Sequence, residues 1–350
     1  MRDKLKSLTR ARLFWPLAAL ALVLLFNILF VDDFLKLELR DGNLYGRLID
    51  IVNRASSLMV LAIGMTLVIA TGGIDISVGS VCAIAGAVCT SIIGGDVQGV
   101  SQNPFALAIL AALLVTVVTG AWNGFLVARL GIQPVVATLI LLVAGRGIAQ
   151  LITEGQIITV YYKPFSYIGG FVPGLPIPFS IVIVAAVFTA AMLALKKTAL
   201  GLFIESAGVN STASRYTGID VVKIKFIVYS FCGLCAGIAG LILSSMIKAA
   251  DSNNAGLFIE LDAILAVALG GTSLNGGRFS IGASMIGALI IQSITTSMYA
   301  LGVSPEVLPV IKAVVVIAIC LIQSEEFRRK AGGLFTRRGG MRNEKAAAKL

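Results

Sequence analysis

Long runs of apolar residues, separated by short polar segments, cover most of this chain, and this pattern predicts successive membrane-spanning helices. A hydrocarbon core about 30 Å thick is crossed by roughly 20 apolar residues in an α-helix. The runs predicted as spans are 13–31, 48–70, 78–93, 105–127, 135–152, 179–195, 224–246, 257–269, 281–301 and 308–322. The expected fold class is therefore all-α, a polytopic membrane protein of about ten transmembrane helices.

Two of the predicted spans, 48–70 and 257–269, end in glycine-rich breaks and have short uninterrupted apolar parts, which for the first of them cover only 58–70. The sequence Thr71-Gly-Gly-Ile-Asp-Ile-Ser-Val-Gly79 follows the second span, and Gly270-Gly-Thr-Ser-Leu-Asn-Gly-Gly277 follows the eighth. Such segments often mark discontinuous helices beside a transport path, although two tight cytoplasmic hairpins without substrate contact would give the same pattern. Glycine permits unusual backbone angles and close approach. A structural role is expected for Gly72, Gly73, Gly79, Gly270 and Gly271.

Composition and charge agree with a membrane protein. The chain is 57% hydrophobic and 13% charged, whereas soluble domains carry about 25% charged residues. Basic residues are concentrated in two tails, 1–12 and 324–350, which flank a membrane domain at 13–323. Because Lys and Arg next to spans stay in the cytoplasm, both tails and the polar loop 196–220 are expected there. The same clustering at span ends argues against nucleic-acid binding.

Several kinds of chemistry lack the residues that would support them. The chain contains no histidine, which is the usual general base near neutral pH and the commonest metal ligand. Its five cysteines lie in apolar stretches, where a thiol usually packs as a small apolar group. No G-x-x-x-x-G-K-[ST] phosphate-binding motif occurs. We therefore expect no enzyme activity, no metal site and no cofactor bound by this chain.

The polar loop 196–220 has the pattern of a short amphipathic helix flanked by glycines. Leu202, Phe203 and Ile204 offer an apolar face, and Gly208, Asn210 and Gly218 punctuate a turn and a second short helix. A helix too short to span, held at the surface between two spans, is suited to binding another protein. An ordinary solvated linker is the alternative interpretation.

Polar residues within the spans are candidates for a translocation path, because an ionisable group at membrane depth is costly. Asp75 could line such a path or cap a helix by accepting backbone N–H bonds. Arg146 is expected to face protein or water, with Glu154, Asp262 or Glu260 as its partner. The candidates for the path are Asp75, Ser77, Trp122, Asn123, Arg146, Gln150 and Asp262.

Trp122 and Asn123 allow a more specific interpretation. An amide such as Asn123 or Gln150 could bond sugar hydroxyls while the Trp122 indole stacks on a sugar face. A single tryptophan in a membrane helix is more often a packing residue or an interfacial anchor.

Three long motifs resemble those of one transporter family. They are the segment 61–79, the loop 196–219 and the segment 263–278, which reads Ala-Ile-Leu-Ala-Val-Ala-Leu-Gly-Gly-Thr-Ser-Leu-Asn-Gly-Gly-Arg. The chain resembles the ribose/xylose/autoinducer-type permeases of ABC importers over about residues 51–323. Within that family, the segments 145–157, 250–256 and 260–262 are most similar to those of a galactofuranose importer permease.

The resemblance implies a pathway formed by two permease subunits, identical or homologous, in the bacterial inner membrane. It also implies a separate cytoplasmic ATPase, which would bind ATP and Mg²⁺, and a periplasmic sugar-binding protein that meets segments near 32–50, 94–104, 154–178 and 246–256. Sugar would cross by alternating access. The residues that the resemblance assigns to ATPase coupling are Gly201, Phe203, Glu205, Gly208, Asn210 and Gly218.

Other functions remain open on the sequence alone. A permease for branched-chain amino acids or an autoinducer would share this architecture. An ion-coupled secondary transporter would need no partner subunits and would place carboxylates such as Asp75, Glu260 and Asp262 at the membrane midplane. A membrane scaffold without transport activity is a further alternative.

Overall fold

A computed structural model describes residues 13–31, 33–40, 42–94, 101 and 103–323. These residues form thirteen α-helices and two small two-stranded sheets. The helices are α1 (Phe14–Phe30), α2 (Arg47–Ala70), α3 (Val78–Ile93), α4 (Phe105–Ala128), α5 (Pro134–Ile152), α6 (Lys163–Tyr167), α7 (Phe179–Lys197), α8 (Leu200–Val209), α9 (Ser211–Tyr216), α10 (Val221–Ile247), α11 (Ile259–Leu269), α12 (Ile281–Ala300) and α13 (Leu308–Gln323). The strands are β1 (Leu37–Arg40), β2 (Asn43–Gly46), β3 (Ile158–Thr159) and β4 (Ala249–Ala250).

The predicted all-α membrane fold is confirmed, with one shortened element. Six helices, α2, α4, α5, α7, α10 and α12, are long and apolar enough to cross a membrane. Shorter apolar helices include α1, α3 and most of α13. The predicted span 257–269 is instead the eleven-residue helix α11. At 1.5 Å per residue it is about 16 Å long, roughly half of a hydrocarbon core.

Helices α2, α3 and α10 form the buried centre of the larger part of the chain. In the most apolar 18-residue stretch of α2, 83% of the residues are buried, against 17% in α7. Small residues permit this packing, because a Cβ atom on Gly64 of α2 would lie 3.0 Å from the Cα of Cys232 in α10. Close backbone approach of this kind is typical of membrane helices.

Local signals explain where several helices begin. Pro134 opens α5, a position where the missing N–H costs nothing. The Asn210 side chain accepts a hydrogen bond from the Ala213 amide at 2.9 Å and starts α9. Asp220 accepts one from the Lys223 amide at 3.1 Å and starts α10. That backbone hydrogen bond, together with the Lys223 side chain, lowers the pKa of Asp220 below its ordinary value.

The two small sheets connect segments that lie between helices. β1 and β2 form an antiparallel hairpin that leads directly into α2. β3 pairs with β4 antiparallel, with Ile158 opposite Ala250. Because β4 directly follows α10, this pairing joins the segment after α5 to the segment after α10.

The chain divides into two compact units, Met1–Ser297 and Met298–Leu350. In the second unit, Gly302 has a φ of 74° and its amide donates to the Tyr299 carbonyl at 3.1 Å, which closes a turn ahead of α13. The predicted tails 1–12 and 324–350 lie outside the described residues.

Candidate coupling site and translocation path

The loop 196–220 contains the two short helices that its sequence predicts, α8 and α9, and Gly218 follows them with a φ of 86°. The predicted apolar face is divided between two sides of α8. Ile204 is 3% exposed and packs towards the membrane helices, whereas Leu202 is 66% exposed. Val209 and Tyr216 are also exposed, at 71% and 89%. The loop therefore has one anchored side and one side on which apolar groups are exposed.

The anchored side of α8 meets both glycine-rich breaks at one point. The Gly277 amide donates a hydrogen bond to the Ala70 carbonyl at 2.9 Å, which joins the second break to the end of α2. Gly208 of α8 lies over this bond, since a Cβ atom there would stand 1.8 Å from the Ala70 oxygen and 2.5 Å from the Gly277 nitrogen. Gly276 also packs against the first break, because a Cβ atom added to it would lie 2.9 Å from the Gly72 nitrogen. These five residues are called the glycine junction.

An ion pair lies beside the glycine junction. Arg278 Nε is 3.5 Å from Glu205 Oε1, with 78% and 37% of the respective side chains exposed. Exposed pairs contribute about 0–1 kcal/mol because solvent screens them. The backbone contacts, rather than this pair, therefore define the junction.

The five glycines expected to be structural are needed for two different reasons. Gly72 and Gly271 have φ values of 77° and 76°, in the left-handed region that side chains disfavour. The others lie against neighbouring groups that a Cβ would strike: the Tyr229 hydroxyl at 2.4 Å for Gly73, Glu260 Oε2 at 2.4 Å for Gly79 and the Ser284 amide at 2.6 Å for Gly270.

Asp75, Ser77 and Asn123 form a closed cluster inside the first break. Asp75 Oδ1 accepts hydrogen bonds from the Ser77 amide at 3.0 Å, the Ser77 hydroxyl at 2.6 Å and Asn123 Nδ2 at 3.4 Å. Asn123 Nδ2 also donates to Ser77 Oγ at 2.9 Å. All three side chains are at most 2% exposed. The N-cap of α3 is Ser77 rather than Asp75, so Asp75 fixes the turn before the helix.

Two polar atoms near this cluster have no hydrogen-bond partner among the described residues. They are Asn123 Oδ1 and the Tyr229 hydroxyl, which lies directly under Gly73. Tyr229 is fully buried. The sequence analysis did not select it, although a tyrosine in the middle of an otherwise apolar span is a signal of a buried polar group.

Arg146 and Gln150 hold a non-helical segment against α5. Arg146 Nη1 donates to the Ala255 carbonyl at 2.6 Å and to the Ser252 carbonyl at 3.2 Å. Gln150 Nε2 donates to Asn253 Oδ1 at 2.6 Å. The hydrogen bonds of Arg146 therefore go to backbone carbonyls, and of its three predicted carboxylate partners Glu260 attracts its charge without a hydrogen bond. Irregular backbone at membrane depth needs such partners, because lipid supplies none.

This segment leads to the point where α3 and α11 begin. Glu260 is 7% exposed, and its Oε2 has no hydrogen-bond partner among the described residues. A Cβ atom on Gly79 would lie 2.4 Å from that oxygen and 2.5 Å from the Gly256 carbonyl oxygen. Asp262 lies in the same first turn of α11, where a carboxylate is favoured by the helix dipole.

Trp122 does not share a surface with Asn123. Its side chain is 53% exposed and stacks on Phe125, with ring centroids 6.1 Å apart. Asn123 is fully buried in the Asp75 cluster. Within this chain, the indole and the amide cannot contact one sugar together.

Comparisons with known proteins agree with this architecture. The family model described as "Branched-chain amino acid transport system / permease component" matches residues 47–320. The chain is 49% identical over 326 residues to the galactofuranose transporter permease protein YtfT of Escherichia coli K12, covering 91% of this chain and 93% of the relative. It is 39% identical over 350 residues to the fructose import permease protein FruF of Bifidobacterium longum, covering 98% and 96%.

A third relative shares the membrane domain. The ribose import permease protein RbsC of Escherichia coli K12 is 40% identical over 282 residues, covering 80% of this chain and 86% of the relative. No solved structure matches the chain. The family match covers more than half of the sequence, and so the chain belongs to the branched-chain amino acid transport system / permease component family.

Proposed function

We propose that this chain is the permease subunit of an ABC-type importer of a monosaccharide. The observation that carries the proposal is the identity of 39–49% to sugar permeases over most of the chain. The family model is named for branched-chain amino acids, but these three relatives are named for galactofuranose, fructose and ribose. The similarity to the galactofuranose permease favours that sugar over ribose or xylose.

A separate ATPase subunit is the partner proposed for the exposed side of the loop 196–220. The loop has short helices, glycine-limited turns and three exposed apolar residues, Leu202, Val209 and Tyr216. Aromatic and apolar anchors of this kind dominate the free energy of protein interfaces. The chain lacks a phosphate-binding motif of its own, so ATP and Mg²⁺ would be bound by the partner. We propose accordingly that the loop and both termini lie in the cytoplasm and that the chain lies in the bacterial inner membrane.

The sugar path is proposed to pass the polar cluster formed by Arg146, Gln150 and Asn253. Arg146 and Gln150 lie on α5, whose other residues are largely apolar, and both are half-buried rather than enclosed, whereas Asn253 is exposed in the segment that they hold. Sugar hydroxyls need both donors and acceptors, and a few placed polar groups in an apolar wall supply them. A second permease, identical or homologous, would complete the path, and a periplasmic sugar-binding protein would deliver the sugar.

Alternating access follows from this arrangement. Closure of the ATPase pair on ATP would displace the loop 196–220, and the spans attached to it would change which side of the polar cluster is open. A ligand can cross only if neither state binds it too tightly to release it. We therefore expect weak sugar binding to the permease and no covalent chemistry.

Purification of the tagged full-length chain from its host in mild detergents tests the proposal. Mass spectrometry should identify an ATPase subunit that co-purifies, and a homologous permease would indicate a heterodimer. Recovery of this chain alone from several mild detergents, together with uptake that survives ATP depletion but stops when the ion gradient is collapsed, would contradict the proposal and support an ion-coupled transporter.

Tyr216→Arg tests the docking surface, with Tyr216→Phe as its matched control. The arginine variant should retain about tenfold less ATPase subunit, since truncating an aromatic anchor typically costs more than 1 kcal/mol. The phenylalanine variant keeps the ring and should retain wild-type amounts. Equal retention by both variants would show that the ATPase does not bind at Tyr216.

A further inference from the structure

We propose that the glycine junction makes the loop 196–220, the C-terminal end of α2 and helix α11 move as one unit. Helix α11 would carry this movement to the segment 251–256, which Arg146 holds through hydrogen bonds. The inference rests on the proposed function, because it explains how the coupling loop would act on the path. It assigns to Gly208, Gly276 and Gly277 a positioning role between the ATPase and the sugar.

The contact within the glycine junction is backbone on backbone. Three chain segments meet there without an intervening side chain, and the Gly277 amide bonds the Ala70 carbonyl at 2.9 Å beneath Gly208. A side chain can change rotamer and absorb a displacement, whereas peptide groups in van der Waals contact cannot. Close-packed interiors transmit strain for the same reason. A displacement of α8 is therefore transmitted to Ala70 and Gly277 at nearly its full size.

Helix α11 connects the junction to the path. Its eleven residues form a rigid rod about 16 Å long. The junction lies beyond its C-terminal end, whereas its N-terminal turn places Glu260 against Gly79, which also lies against the Gly256 carbonyl. Gly256 directly follows Ala255, whose carbonyl oxygen accepts the hydrogen bond from Arg146. Movement of α11 thus changes the backbone that Arg146 holds.

Helix α12 restricts how α11 can move. A Cβ atom on Gly287 of α12 would lie 2.1 Å from the Ala266 carbonyl oxygen, and one on Gly270 would lie 2.6 Å from the Ser284 amide. These two contacts lie one helical turn apart at the C-terminal end of α11. Close packing of this kind limits how far that end of α11 can move independently of α12.

Gly208→Ala tests the proposal in the complete transporter, reconstituted with its ATPase and binding protein in liposomes. The added Cβ would strike the Ala70 carbonyl oxygen and must lift α8 from the junction. Sugar uptake should fall about tenfold or more, which corresponds to the free energies typical of coupling between sites, while ATP hydrolysis continues and no longer rises with sugar-loaded binding protein. Gly282→Ala is the control, since a Cβ there meets nothing within 4 Å, and its uptake should equal wild type.

The other outcomes separate the two proposals. Normal uptake by Gly208→Ala would overturn the junction's role, and so would loss of the ATPase subunit from this variant, because Gly208 would then act in docking. Failure of the wild-type chain to retain any ATPase would instead overturn the proposed function itself.

Hydrogen exchange on the wild-type transporter gives a test that does not depend on a folded variant. The Gly277 amide should exchange slowly both without nucleotide and with ATP, because the junction stays closed while its parts move together. The control is the exposed β1–β2 hairpin, which should exchange quickly in both states. Rapid exchange of the peptide 270–278 in one nucleotide state would show that the junction opens, and the proposal would be wrong.

Discussion

Two clusters of polar side chains lie among the apolar helices: the Asp75 cluster, and the polar cluster that contains Arg146 and Gln150. Their surroundings differ. Asp75, Ser77 and Asn123 are at most 2% exposed and bond one another at short range. Arg146 and Gln150 are half-buried and bond backbone and side-chain groups more than 100 positions away in the sequence. The first cluster fixes a turn, whereas the second holds a segment whose remaining groups are open to a ligand. Exposure, rather than polarity, therefore separates a structural polar residue from a candidate for the path.

The largest effect is expected from Asp75→Ala. The substitution leaves the buried Ser77 amide and hydroxyl without their acceptor, and each buried unpaired group costs about 1–3 kcal/mol. The free energy of unfolding should fall by about 3 kcal/mol or more, measured as a lower unfolding temperature in detergent and less protein in the membrane.

Asp75→Asn is the informative companion of that variant. Its Oδ1 can still accept from Ser77 while the charge is gone, so transport should be largely retained. Loss of transport in a stably folded Asp75→Asn protein would show that the charge itself is used, as in an ion-coupled transporter, and would contradict the structural role assigned here.

Arg146→Lys should reduce sugar uptake strongly and thermal stability only slightly, whereas Asp75→Ala acts mainly on stability. A lysine ammonium is a point charge without the planar fork of arginine, and it cannot reproduce both carbonyl contacts. We expect sugar uptake to fall about tenfold, with a smaller loss of thermal stability than in Asp75→Ala because Arg146 is half-buried. Radiolabelled sugar uptake and an unfolding curve of the same preparation measure both quantities. Wild-type uptake, or a collapse of stability as severe as that of Asp75→Ala, would remove Arg146 from the proposed path.

The smallest effect is expected from Tyr229→Phe, which removes a buried hydroxyl that has no hydrogen-bond partner within the described part of the chain. The free energy of unfolding should be unchanged or rise by up to about 1 kcal/mol.

Gly73→Ala should destabilise the protein, because the added Cβ would lie 2.4 Å from the Tyr229 hydroxyl. Combining it with Tyr229→Phe should restore part of the lost stability. Clear destabilisation by Tyr229→Phe alone would mean that the hydroxyl has a bonded water or another partner.

Much of the fold follows from the apolar pattern. The helices in the described residues match the ten predicted spans to within a few residues at most ends, because about 20 apolar residues in succession have few other stable arrangements. The two short helices of the loop 196–220 are also correctly predicted, since Asn210 and Gly218 are strong local signals. In the predicted span 257–269 the helix begins two residues late, at Ile259, because Phe258 has a φ of 62°, and helix propensity does not reveal such a residue.

The sequence by itself determined the membrane class, the order of the spans, the two short helices of the loop 196–220 and the positions of the two glycine-rich breaks. Periodicity, composition and turn residues act over short stretches of chain, and they can be interpreted without knowing what lies alongside. The tertiary structure decided that the breaks meet each other beneath Gly208, that Arg146 binds carbonyls rather than a carboxylate, and that Trp122 and Asn123 face different surroundings. Those outcomes depend on contacts between residues as many as 200 positions apart, such as Ala70 with Gly277, and packing in three dimensions alone specifies them.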